Sequence, residues 1–144
     1  MIQLTDEMRN KLATARADGT TVMAASIEPD GYPKFSYYGS LHVFSSDQLA
    51  LWHRTPDSGL VTRLDAHPKM TFLYRHPTEP IFWQFSGRAR VVEDEDVREK
   101  VYEGMPEGEK AFDPDRRGKA VIIDVDRVVG RDVDMQREER SHPT

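Results

Sequence analysis

The stretch Leu49–Tyr74, LALWHRTPDSGLVTRLDAHPKMTFLY, decides the fold. It reads as a strand, a polar turn, a short helix, a proline stop and a second strand. Asp57 and Ser58 each offer a side-chain oxygen to the unpaired N–H groups of a helix start. Leu60, Val61 and Leu64 follow at helical spacing, and Pro68 forbids continuation past His67, so the pattern predicts a helix over residues 58–67. A helix that begins at Ser58 directly after a strand aims its positive end at the strand's exit. That suits a phosphate, and it equally suits a plain capped connector.

Outward from this block the chain is mostly hairpins. Residues 5–17 predict a first helix, capped by Thr5 or Asp6, with Met8, Leu12 and Ala15 on its apolar face. Strands at 21–28 and 32–38 flank the turn Glu28-Pro29-Asp30-Gly31, and a second hairpin joins 41–44 to 49–53. After the central helix come strands at 69–75 and 81–93. Gly87 in the second predicts a bulge or a close backbone approach. Asp94 caps a helix over 94–105 with Val97, Val101 and Met105 on one face, and the run Glu93 to Asp96 reads as a helix start complementing the dipole. A polar loop with a helical turn leads to the last strand region, 119–133. Six to seven hairpin-linked strands with inserted helices favour a mainly β (α+β) antiparallel barrel with peripheral helices.

The composition narrows function. A chain of 144 residues predicts one domain, taken as 1–133, with a charged tail at 134–144. The absence of cysteine excludes disulfides, thiolate catalysis and Cys-based zinc sites. His42, His53, His67, His76 and His142 show no HxH or HxxxH spacing, so no metal site is expected. The net charge of −5, with acids and bases interleaved, argues against nucleic acid. No apolar run approaches the roughly 20 residues that span a bilayer, and the N-terminus lacks a secretory core. A soluble cytoplasmic protein is the expectation.

The hairpin DGYPKFSYYG, the block LWHRTPDSGLVTRLDAHPKMTFLY and the strand WQFSGRARVVEDED, in this order, resemble the pyridoxamine 5'-phosphate oxidase-like family of split barrels that bind flavin mononucleotide (FMN). The resemblance covers roughly residues 5–130. In that family the middle block runs aromatic, Thr, three residues, Ser, any residue, Lys, then a helix ending in Asn-Pro. Here Trp52 and His53 stand at the strand end, Ser58 at the helix cap and Leu64 at the apolar helix position, and His67-Pro68 replaces Asn-Pro. Gly87, Ala89 and Val91 match the ending VxGxAxV. Two positions depart from the pattern: Arg54 replaces the Thr, and Leu60 replaces the phosphate-binding Lys. Either the cation has moved to Arg54 or Arg63, both competent phosphate ligands, or the phosphate site has changed.

The resemblance implies a homodimeric split barrel with FMN held in grooves at the subunit interface, passing electrons between a nicotinamide donor and a small planar substrate. On that reading Lys34 and Ser36 border the groove, since alternation puts Lys34, Ser36 and Tyr38 on one strand face and Phe35 and Tyr37 on the other. Trp52, His53 and Arg54 cluster beside the ring, where Trp52 or Trp83 could stack, though Trp83 reads better as a core aromatic; Arg54, Ser58 and Arg63 stand at the phosphate end, and Gln84 reaches the ring of the partner's cofactor. No catalytic side chain announces itself, because a flavin carries its own redox chemistry. The alternatives are a deazaflavin-dependent reductase using Lys34, Arg54 and Arg63, and a non-catalytic dimer that holds flavin, haem or another apolar ligand.

Overall fold

The computed structural model describes residues 1–55 and 59–137. Its frame is a single antiparallel sheet ordered β2-β1-β5-β6-β7-β4-β3, with β8 added to β7. The strands are β1 (Met23–Ile27), β2 (Pro33–Tyr37), β3 (His42–Ser45), β4 (Gln48–His53), β5 (Lys69–Arg75), β6 (Phe82–Val92), β7 (Lys119–Gly130) and β8 (Val133–Gln136). Three helices sit around it: α1 (Asp6–Thr14), α2 (Leu60–Ala66) and α3 (Glu95–Glu103). The sheet coils without closing, which is the split barrel the hairpin pattern and the resemblance predicted.

Local chemistry accounts for most boundaries. Thr5 caps α1 by accepting from the Met8 N–H at 3.1 Å, and Asp94 caps α3 by accepting from Val97 at 3.0 Å. Gly31 takes φ 93° in the first hairpin turn, a conformation that costs glycine nothing. Between β6 and β7 the register shifts, with Ser86 opposite Arg127 and Gly87 opposite Val125. A Cβ on Gly87 would lie 2.3 Å from the Asp124 carbonyl oxygen, so the close approach expected there is real.

Two expectations change. The central helix starts at Leu60, not Ser58, and its N-cap is Gly59 at φ 92°, with no side-chain capping bond. Asp57 and Ser58, expected as caps, lie outside the described residues. The last strand region breaks at Arg131-Asp132, where Asp132 adopts φ 63°, and returns as β8. The sheet therefore runs to Gln136, past the expected end at residue 133.

Alternation builds the core. Met70, Phe72 and Tyr74 of β5 and Trp83, Phe85 and Ala89 of β6 point inward, joined by Met8, Leu12 and Ala15 of the α1 region. Trp83 stacks on Tyr74 with ring centroids 5.1 Å apart, the core role expected of it. Because β4 and β7 are apolar on both faces, a second cluster forms behind them. There Ala50, Trp52, Ala120 and Ile122 pack under Val101, Tyr102 and Met105 of α3 and its exit.

Candidate functional site

The exits of β2 and β4, helix α2 and the loop between α3 and β7 enclose a cavity of about 390 Å³. Its lining includes six of the side chains singled out from the sequence: Lys34, Ser36, Trp52, His53, Arg54 and Arg63. The volume falls in the range of small-molecule sites.

Arg63 is the centre of this corner. It is only 5 % exposed, and its Nε donates to Ser26 Oγ of β1 at 2.8 Å. Tyr38, hydrogen-bonded to Arg63 and Ser36, is its second partner; burial pushes the Tyr38 hydroxyl pKa up against the opposing pull of those two groups. Among the described residues no carboxylate lies within ion-pair distance of Arg63. A buried guanidinium whose described partners are hydroxyls has most of its desolvation cost left uncompensated by them. Leu60 stands where the resemblance places a lysine. Leu60 is 0 % exposed and belongs to the main core. Arg63 lies three residues on, on the same buried face of α2, so the helix presents its cation one turn later.

His53 faces the same cavity from the end of β4. Burial lowers its pKa, a backbone bond to Thr55 opposes this and the Arg63 charge adds to it, so the imidazole is neutral near pH 7. Its ring centroid lies 6.2 Å from that of Tyr38. Lys34 and Ser36 enter from β2, whose alternation runs as expected: Phe35 and Tyr37, on the opposite face, are 66 % and 70 % exposed.

Two sequence-derived residues, Trp52 and Gln84, stand elsewhere than expected, and Arg54 stands at the cavity rim. The Trp52 ring, a candidate to stack on a flavin, packs edge-on against Tyr102 at 5.1 Å and donates Nε1–H to Asp113 at 2.7 Å. It belongs to the second core, because position 52 alternates onto the α3 side of β4. Arg54 is exposed and lies with its guanidinium carbon 4.2 Å from the Phe112 centroid. Gln84 is not in this cavity at all. It sits half-buried on the outer sheet face, in the row Tyr37, Met23, Leu73, Gln84, Val129. Ser58 lies outside the described residues.

The wall made by the α3–β7 loop was not legible as part of a site. Asp113 accepts from Trp52 Nε1, Arg117 N and Gly118 N at 2.7, 3.0 and 2.7 Å. Burial pushes its carboxyl pKa up, and these three donors outweigh burial and hold it below the ordinary value. The signal was present in DPDRRG (113–118), an aspartate placed to cap the turn that follows it. Glu109 in the same wall binds Arg16 at 2.7 Å.

These features define a split-barrel protein with a cation-lined cavity beside its central helix. The family model for pyridoxamine 5'-phosphate oxidase matches residues 4–129, and the chain belongs to that family. No curated protein matches the chain. Solved structures share the fold. HupZ of Group A Streptococcus is 17 % identical with a TM-score of 0.69, covering 94 % of this chain and 99 % of its own. An FMN-binding protein of Syntrophomonas wolfei is 9 % identical with a TM-score of 0.61, covering 91 % and 89 %. HutZ, the heme storage protein of Vibrio cholerae, is 15 % identical with a TM-score of 0.63, covering 85 % and 94 %. No helix among the described residues is long and apolar enough to cross a membrane.

Proposed function

We propose that the chain is one subunit of a homodimeric FMN-dependent oxidoreductase, acting between a nicotinamide donor and a small planar substrate. The observation that carries this reading is the buried Arg63 with no carboxylate partner among the described residues. A phosphate dianion supplies the missing charge, and a guanidinium binds it bidentately. Lys34 stands in the same cavity as a second cation. Two cations with no ion-pair partner among the described residues, placed together in a chain of net charge −5, concentrate anions locally. The flavin itself supplies two-electron transfer when bound, and the protein's part is to hold and orient it.

The dimer rests on the outer sheet face. Phe35, Tyr37, Leu73 and Phe82 are exposed there, around Gln84. A contiguous apolar face of this kind in a single subunit is one that a twin would cover. Gln84 would then meet the partner's cofactor and not its own. Replacing Phe35 and Tyr37 together by Ser is expected to convert the dimer to monomer in sedimentation; a parent chain that is already monomeric refutes the interface.

A second reading is haem or another apolar ligand without redox turnover. Its support is His53, whose neutral imidazole lines the cavity and is the form that ligates iron. Titration separates the readings. FMN, a deazaflavin and haem are each added to ligand-free protein and followed by fluorescence or visible absorbance. FMN binding that saturates one site per chain supports the first reading. Haem binding with no response to FMN replaces it with the second, and a deazaflavin preference changes the cofactor.

A further inference from the structure

At the rim of the cavity, Phe112 forms a cluster with two arginines. Phe112, on the short 3-10 turn Lys110–Phe112, is 47 % exposed although it is a large apolar ring. Two guanidiniums flank it: the Arg54 carbon lies 4.2 Å and the Arg16 carbon 4.4 Å from its centroid. Arg54 also lines the cavity, so the ring stands one guanidinium away from the space that Arg63 borders.

This cluster is built, not loose. Arg16 is tied by Nη1 to Glu109, whose carboxylate packs against Gly39 so closely that a Cβ there would lie 3.0 Å from Oε1. Asp113, next to Phe112 in sequence, is fixed by its three N–H donors. The ring is thus presented by a pinned turn. Arg54 in contrast makes no hydrogen bond and no ion pair among the described residues. Its plane is held by the ring while its five N–H donors remain unspent.

We infer that Arg54, Phe112 and Arg16 form a second binding site, at the mouth of the cavity, for a phosphorylated nucleotide. The unspent fork of Arg54 matches a phosphate in geometry and charge. The exposed edge of Phe112 and the flat guanidiniums beside it receive a planar base. Phosphate fits better than a lone carboxylate because Lys34 and Arg63 add positive charge on the cavity side. Phe112 and Arg16 do not line the cavity, so a cavity ligand and a nucleotide would sit side by side and share the Arg54 rim.

The test uses the full chain and adenosine diphosphate as probe, measured by calorimetry with and without excess FMN. Adenosine and inorganic pyrophosphate serve as the two half-ligands. Adenosine diphosphate is expected to bind in both conditions, with each half-ligand at least about tenfold weaker. Arg54→Gln is expected to weaken it about tenfold or more and Phe112→Ala about fivefold. Phe112→Leu serves as the second variant, keeping the bulk while losing the ring. No binding of the probe overturns the inference, as does displacement of the probe by FMN. Pyrophosphate binding as tightly as the diphosphate, or unchanged affinity in the Arg54 and Phe112 variants, overturns it too, the cluster then being a structural rivet. Probe binding without any FMN binding sinks the flavin reading alone; FMN binding without probe binding sinks this one alone.

Discussion

Asp113 and Arg63 both line the same cavity, both are buried and they carry opposite charges, yet their surroundings differ in kind. Asp113 accepts three N–H bonds, two of them from its own turn, and its charge is fully answered by donors within hydrogen-bond distance. Arg63 is answered by the hydroxyls of Ser26 and Tyr38 and by no described carboxylate. A charge that the protein itself satisfies is a structural fastening. A charge with no described counter-charge in a cavity is one that an anionic ligand would stabilise. The contrast separates the two walls: the α3–β7 loop holds the shape, and the β4–α2 side is where the proposed ligand would bind.

Removing each charge should therefore have opposite consequences. Asp113→Ala strands the Trp52 indole and two backbone N–H groups, and is expected to lower stability by about 3 kcal/mol in denaturant unfolding. A loss under about 1 kcal/mol would mean the fastening is nominal. Arg63→Met removes a buried charge that no described carboxylate answers. It is expected to leave stability unchanged or raise it by about 1 kcal/mol, while FMN affinity falls about 100-fold. A strongly destabilised Arg63→Met chain would break the comparison, making Arg63 a fastening too.

A smaller effect appears with pH. His42 is buried, its Nδ1 donates to the Ser40 carbonyl at 2.8 Å, and its Nε2 has no hydrogen-bond partner among the described residues. Burial, partly opposed by the Ser40 bond, lowers its pKa below the ordinary 6.5, and the Arg9 charge adds to the lowering. The folded state thus binds fewer protons than the unfolded one in this window. The stability due to neutral His42 is full above about pH 6.5 and is lost as pH falls through its lower folded value. Thermal melts should fall below pH 6.5 and flatten in His42→Gln; His53, lowered in the same direction, contributes alongside. The smallest change is Tyr38→Phe. It removes one of the two hydroxyl partners of Arg63 and is expected to cost about 1 kcal/mol or less of stability. FMN affinity should shift far less than in Arg63→Met if phosphate is the partner that matters.

Much of this architecture was written in local pattern. Period-two alternation placed Met70, Phe72 and Tyr74 inside and Phe35 and Tyr37 outside, and Pro68 ended α2 where expected, since its ring forbids another helical residue. Gly87 marked the register shift for the same reason: only a residue without Cβ fits against the Asp124 carbonyl. Lys34, Ser36, His53, Arg54 and Arg63 were named from the sequence and do line one cavity or its mouth, because each sits at a strand exit or on the short helix facing it.

Other features needed the third dimension. The Trp52 ring packs under α3 and only borders the cavity because β4 is buried on both sides, and sequence cannot say which side an apolar residue takes when both are apolar. The role of Arg63 depends on Ser26 and Tyr38, 37 and 25 positions away, and on the absence of a nearby described carboxylate. Asp113 becomes a fastening only when Trp52, 61 positions earlier, swings its N–H onto it. The sequence by itself determined the strands, the helix stops and the side of β2 that carries its polar residues, since those follow from steric and periodic rules acting within a few residues. Tertiary structure alone decided which charges are answered among the described residues and which are not, since that balance is set by groups that folding brings together from across the chain.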